Sequence, residues 1–227
     1  MVRVRIPATS ANLGAGFDSL GLAVNLYNYV DMEESDGVFI SSTDGTWVPT
    51  TKENLIYQSA QRLYDECGKK LCGLRIIQQN NIPMTRGLGS SSACIVGGLA
   101  AANQMLGNPL GLDDMVGLAS DIEGHPDNTT PALLGGIVTA VLEEGKVFWV
   151  KQEVHSALRL IAVIPDFKLS TEMARQVLPE KVSHMDARYN LSRAALFSAS
   201  LLQGKYENIR IAVEDRRHQP YRMKLIH

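Results

Sequence analysis

The stretch Pro83-Met84-Thr85-Arg86-Gly87-Leu88-Gly89-Ser90-Ser91-Ser92-Ala93 decides how the rest of the chain is read. Gly87 and Gly89 let the backbone turn sharply and come close to a ligand. Ser90, Ser91 and Ser92 add hydroxyl donors. Upstream, Leu74-Arg75-Ile76-Ile77 reads as a strand that runs out through Asn80-Asn81-Ile82-Pro83. Downstream, residues 93 to 106 are rich in Ala and Gly and read as a buried helix whose short side chains permit close packing. A strand, a glycine-serine loop and a helix follow one another. Free N–H groups at the helix start face the loop, and such a terminus binds anions, phosphate above all. No Gly-Lys-Ser/Thr is present, so this is not a Walker A loop, and Ser92 stands where a GxGxxG fingerprint needs its last glycine. On these residues alone, a loop that only caps a helix fits as well.

Outward from the loop, Val2, Val4 and Ile6 alternate with polar residues as in a strand, and residues 21 to 30 read as a second one. Ser35-Asp36-Gly37 marks a turn before Val38-Phe39-Ile40. Ile56, Ala60, Leu63 and Cys67 make one helix face, closed by Gly68. Residues 112 to 123 fit a further helix, with Asp113 and Asp114 at its positive end. Residues 124 to 128 read as a loop, and 137 to 142 with 147 to 150 as a hairpin. Residues 158 to 164 read as a buried strand ended by Pro165, and from Ser170 onward the pattern is mostly helical. Strands come early and helices cluster late, which favours α+β over a doubly wound sheet. A boundary is expected near residues 151 to 157, giving units 1–153 and 154–227.

The 227 residues suffice for one large or two small domains. A net charge of −2 without any Lys/Arg block argues against a nucleic-acid groove. No apolar run reaches the length of a membrane span, and the N-terminus does not resemble a signal peptide. Cys67, Cys72 and Cys94 fit no zinc spacing and read as reduced thiols of a cytoplasmic protein.

The whole string from Pro83 to Ala93 resembles the PxxxGLGSSxA motif of the GHMP kinases. The run from Pro7 to Gly21 (PATSANLGAGFDSLG) is similar to the N-terminal motif of the homoserine kinase branch. So are Glu123-Gly124-His125-Pro126-Asp127-Asn128 with Pro131-Ala132-Leu133-Leu134-Gly135-Gly136, and His218-Gln219-Pro220-Tyr221-Arg222. The resemblance implies a ribosomal-protein-S5-like N-terminal domain followed by a ferredoxin-like one. It implies transfer of the ATP γ-phosphate to the hydroxyl of L-homoserine, with Mg2+, for threonine synthesis.

The same resemblance places residues 83 to 93 around ATP. Asn54 bonds the adenine in one reading and caps a helix in the other. Asn12 and Asp18 flank a glycine-rich turn. Alone they fit Asx-turn bonds; by resemblance they enter the homoserine pocket, with Asp18 accepting from the ammonium. His125 and Asn128 line that pocket by resemblance, and Arg193 and Arg222 take the carboxylate, which suits a guanidinium fork. Ser91 and Glu123 are expected to hold Mg2+, with Asp121 as the alternative carboxylate. Asn128 stands where other family members have an Asp that could act as base. An amide has no useful basicity, so catalysis is expected from Asn128, Ser91 and Glu123 by alignment and charge stabilisation, with Asp127 as the only nearby carboxylate that could act otherwise.

Family members continue through a glycine-rich SGAGPT-like segment that has no counterpart string here. The ferredoxin-like sheet is therefore expected to be incomplete, by truncation, by supply from another chain, or in a relative that binds without catalysis. A GHMP kinase for another hydroxylated substrate is the remaining alternative. The sequence leaves open whether the chain acts alone or as a homodimer.

Overall fold

The alternation of Val2, Val4 and Ile6 with Arg3 and Arg5 sets one face of a strand against a core, and strand β1 (Val2–Ala11) forms there. The computed structural model describes residues 1–164, 166–167 and 169–225. Strand β2 (Leu20–Glu34) is the spine of the sheet, with β1 antiparallel along one edge. Strand β3 (Phe39–Ser42) runs parallel to β4 (Leu74–Gln79), and β4 pairs with residues 29–34 of β2. Strand β5 (Ile137–Glu143) pairs with the other end of β2, at residues 20–22, and β6 (Lys146–Gln152) closes the row. The β5–β6 turn holds Glu144 and Gly145 at φ 49° and 76°, the left-handed geometry of a tight hairpin.

Because β4 and β5 share one edge of β2, the middle of that edge has no strand neighbour. The chain leaving β4 fills it. Asn81 Nδ2 donates to the Tyr27 carbonyl at 2.8 Å, and Ile82 N–H donates to Asn28 Oδ1 at 2.8 Å. This gap aims residues 83 to 89 over the sheet.

Helix α1 (Leu55–Glu66) buries the expected Ile56, Ala60 and Leu63. Helices α2 (Ser90–Met105) and α4 (Pro126–Leu134) lie on β1 and β2, and α1 and α3 (Leu112–Glu123) pack against α2. A Cβ on Gly98 would overlap the Ile56 carbonyl, so the small residues of α2 permit the close approach expected of them. The core joins Ile6, Val30, Met32, Leu63, Ile76 and Leu99. Beyond β6 come α5 (Thr171–Gln176), α6 (His184–Gln203), α7 (Ile209–Ala212) and α8 (Gln219–Arg222). Ser170 and Ser183 cap α5 and α6 with their hydroxyls. A small apolar cluster of Leu20, Phe197 and Ala212, with Leu13 and Val213, ties α6 and α7 to the start of β2 and the turn before it.

Two expectations are corrected. Residues 124 to 128 are not a loop throughout: Pro126 opens α4, as its fixed φ suits the first helical position, so Asp127 and Asn128 stand in a first turn. Residues 158 to 164 form no strand, and Ile161 and Val163 are 88% and 89% exposed. An apolar run becomes a strand only when neighbouring backbone accepts its hydrogen bonds. Among the described residues after Gln152 there is no strand to do so, and so no part of the expected ferredoxin-like sheet. Pro165, expected to end that strand, lies outside the described residues, as do Ile226 and His227. No helix among the described residues is long and apolar enough to cross a membrane.

Candidate active site

Gly87 and Gly89 turn the loop at φ 74° and 66°, and Gly89 is the N-cap of α2. Thr85 also takes a left-handed φ of 56°. The first intrahelical bond runs from Ala93 N–H to the Gly89 carbonyl at 2.8 Å. The amides of Ser90, Ser91 and Ser92 therefore precede the helix ladder and face the loop. Leu88 and Ala93 are buried anchors, Ser91 is exposed, and Pro83, Arg86 and Ser90 are half-buried. Met84 and Thr85 are exposed, and the Thr85 carbonyl accepts from Leu169 N–H at 3.0 Å, so the later segment touches the loop.

Ser92, not Ser91, meets Glu123: its Oγ donates to Oε1 at 2.8 Å. Burial pushes the Glu123 carboxyl above its ordinary range, only partly offset by that bond. A cation beside it would relieve the cost of the buried negative charge. The oxygens of Ser91 and Glu123 thus fit a hard cation such as Mg2+. Asp121 instead pairs with Arg62 on the other side of α3.

The glycine-rich turn carries Asn12, Leu13 and Asp18 at φ 70°, 39° and 56°. Asn12 Oδ1 accepts from Asp18 N–H at 3.2 Å, so Asn12 closes the turn as an Asx residue. A Cβ on Gly14 would overlap the Val213 backbone, which holds α7 against the turn. Asp18 is gripped by both arms of Arg175, at 2.6 and 3.2 Å. Asp18, His125 and Asp127 bring ligand atoms within 4.8 Å of one another. The positive charge of Arg175 beside Asp18 and the 2.7 Å bond between His125 Nδ1 and Asp127 Oδ1 both oppose a metal ion there, while Asp18 keeps lone pairs for a further N–H donor. Burial pulls His125 down, but the Asp127 carboxylate outweighs it and the net shift is upward.

Arg222 approaches from α8. Its Nε donates to the Ala174 carbonyl at 3.0 Å and its Nη1 to His218 Nδ1 at 3.4 Å, while His218 Nε2 donates to the Gly14 carbonyl at 2.7 Å. Arg175 and Arg222 both stack on Phe17, 5.4 and 5.3 Å from the ring centre. Burial, and then the neighbouring Arg175 charge, lower the Arg222 pKa. Two guanidinium groups crowd here where Asp18 answers Arg175, and the surplus positive charge suits an incoming carboxylate.

Asn12 bonds the Asp18 backbone, Asp18 lies within 4.8 Å of His125 and Asp127, Arg222 shares the Phe17 ring with Arg175, and Asn128 lies against Gly89 of the loop. Arg193 does not join them. It lies 3.1 Å over the Tyr189 ring and pairs with Glu214 at 3.3 Å. The second arginine of the cluster is Arg175, which belongs to no motif in the sequence and was missed for that reason. Asn54 is 3% exposed; its Oδ1 accepts from Ile56 N–H at 3.0 Å and its Nδ2 donates to the Pro49 carbonyl at 2.9 Å, the helix-cap alternative. Thr9 was also missed, and Ser92 was placed around ATP but not against Glu123, because single hydroxyls carry no spacing signal.

Residues 54–136 match the family of GHMP kinases N terminal domain. Over its whole length the chain is 49% identical to the homoserine kinase of Caldicellulosiruptor bescii, covering 74% of that protein. The chain belongs to the homoserine kinase family of GHMP kinases. It is also 47% identical to the homoserine kinase of Clostridium beijerinckii, covering 76% of it. The crystal structure of homoserine kinase from Cytophaga hutchinsonii superposes with a TM-score of 0.82 at 30% identity, over 99% of this chain and 75% of the other. The α+β architecture is thus that of this kinase family.

Proposed function

We propose that this chain transfers the γ-phosphoryl group of ATP to the side-chain hydroxyl of L-homoserine. The observation that carries the reading is a convergence: Asn128 lies against Gly89 at the anion-binding start of α2, and Asp18, held by Arg175 with Arg222 on the same Phe17 ring, comes within 4.8 Å of His125 and Asp127 at the start of α4. A phosphate, an ammonium, a carboxylate and a hydroxyl each find a partner of the right charge. Residues 83 to 93 would cradle the triphosphate, with residues 1–153 as the nucleotide unit and 154–227 adding Arg175 and Arg222.

Mg2+ held by Ser91 and Glu123 would neutralise charge on the β- and γ-phosphates. Ser92 keeps the Glu123 carboxylate turned toward the loop. Asp18 and the two arginines fix the substrate's amino-acid end, leaving its hydroxyl beside Asn128. The homoserine oxygen forms the new bond to Pγ as the bond from Pγ to the bridging oxygen of ADP breaks, and the hydroxyl proton leaves with the phosphoryl oxygens. No side-chain base is required, because phosphoryl transfer depends mainly on alignment and charge stabilisation. Asp127 is 2% exposed and committed to His125, which suits a positioning role.

A coupled assay with ATP and homoserine, beside mevalonate and shikimate, tests the reading. Turnover with homoserine alone is expected. Turnover with another alcohol would change the substrate, and calorimetric binding without turnover would make this a binding protein. Asp127→Asn should retain transfer; loss of transfer at unchanged affinities would sink the base-free scheme.

A further inference from the structure

Thr9 stands where three elements meet. It follows the β-bulge at Pro7/Ala8 that shifts the register of β1, and such bulges re-aim side chains. Its side chain is fully buried. Its N–H donates to the Leu88 carbonyl at 3.1 Å, which ties β1 to the loop. Its Oγ1 donates to Asn128 Oδ1 at 2.8 Å, across 119 residues of sequence. The same hydroxyl fills the space a Cβ on Gly89 would need, so the glycine admits Thr9 as well as turning the chain.

A side-chain amide has two unlike ends, and a hydrogen bond to one decides where the other points. With Oδ1 taken by a buried hydroxyl, Nδ2 is the end left to face the reacting groups, and it has no protein partner among the described residues. We propose that Thr9 is a positioning residue that fixes Asn128 as a hydrogen-bond donor and locks it in register with the phosphate loop. Asn128 then donates to the substrate hydroxyl oxygen or to a γ-phosphate oxygen, and does not accept the hydroxyl proton. A single anchor sets the distance between the amide and the phosphate cradle, so loop and hydroxyl move together. This inference rests on the kinase reading above.

Thr9→Val keeps the shape and removes the donor. In the full chain it should lower kcat about 10- to 100-fold, as expected for misplacement near the reacting atoms, with KM for ATP within about twofold. Thr9→Ser, which keeps the hydroxyl, should restore turnover to within about threefold of the parent. In an Asn128→Ala background, Thr9→Val should cost nothing further, because both changes remove one interaction. A full-size loss in that background, or an unchanged kcat in Thr9→Val, overturns the proposal. A second measurement needs no turnover: the Asn128 side-chain amide pair in a 15N–1H spectrum, identified by its loss in Asn128→Asp. Thr9→Val should shift it toward the free-amide position, and an unmoved pair overturns the anchor. Should the parent fail to phosphorylate homoserine while that pair still moves, the activity reading falls and the anchor stands.

Discussion

Arg175 and Arg193 are chemically the same residue, and only their neighbours separate them. Arg175 reaches Asp18 with both arms, whereas Arg193 lies on Tyr189 beside Glu214. Arg175→Met should raise KM for homoserine about 100-fold, the scale of a lost partly buried charge-assisted contact, with KM for ATP unchanged. Arg193→Met should leave both constants within about twofold, because an arginine outside the pocket contributes little to it. Steady-state kinetics on the two variants decide which arginine reads the carboxylate. Glu123 offers a stability test. Its folded pKa is raised above the usual 4.5, so its ionised form costs stability, and the cost is complete above the folded pKa. Glu123→Gln keeps an oxygen for Ser92 and removes the charge. At pH 7.5 its Tm should rise by about 2–4 °C, equivalent to ~1 kcal/mol for a chain of this size, while kcat collapses. Thermal scans should show the gain vanish as the pH falls below 4.5, where Glu123 is neutral in both states.

At the scale of elements, what could be read depended on whether the signal was local. The faces of β1 and α1 were legible because periodicity records burial directly. The glycine-serine loop was legible because Gly87 and Gly89 advertise left-handed backbone. The start of α4 was misread as loop because its first residues are polar, although Pro126 is a good first helical residue. Residues 158 to 164 were misread as a strand because apolar content cannot supply the backbone partner a strand needs. The contact between α1 and α2 carries its own prediction. Gly98→Ala would place a Cβ against the Ile56 carbonyl, backbone that cannot swing away. Urea unfolding should show a loss of about 1–3 kcal/mol, the range for overpacking in a dense core.

Across the whole molecule, a buried polar joint helps to hold the later helices against the glycine-rich turn. Asp215, with its side chain fully buried, accepts from Asn190 Nδ2 at 2.6 Å and from the N–H groups of Arg217, His218 and Gln219 at 3.0, 2.9 and 2.6 Å. That sets His218 on the Gly14 carbonyl and Arg222 in the pocket. Burial raises the Asp215 pKa, but these donors outweigh it and hold the carboxyl below 3.8. Its contribution to stability is therefore present above pH 3.8 and is lost as pH falls through the folded value. Asp215→Asn should cost about 1–3 kcal/mol at neutral pH, the penalty for buried donors left poorly paired. It should also loosen hydrogen exchange in residues 206 to 225 and raise KM for homoserine more than KM for ATP. Equal stability of variant and parent at pH 7 would remove Asp215 from the joint.

By itself the sequence determined the phosphate loop, the glycine-rich turn, the α+β order of elements and the family resemblance. Each is a contiguous string whose backbone geometry follows from its own glycines, prolines and apolar period. Tertiary structure alone decided that Arg175 and not Arg193 meets Asp18, that Ser92 holds Glu123, and that Thr9 turns Asn128. These are polar contacts between one pair of side chains each, across 157, 31 and 119 residues. A side chain at such a distance leaves no period and no spacing in the chain, because its partner is chosen by how the sheet and helices close.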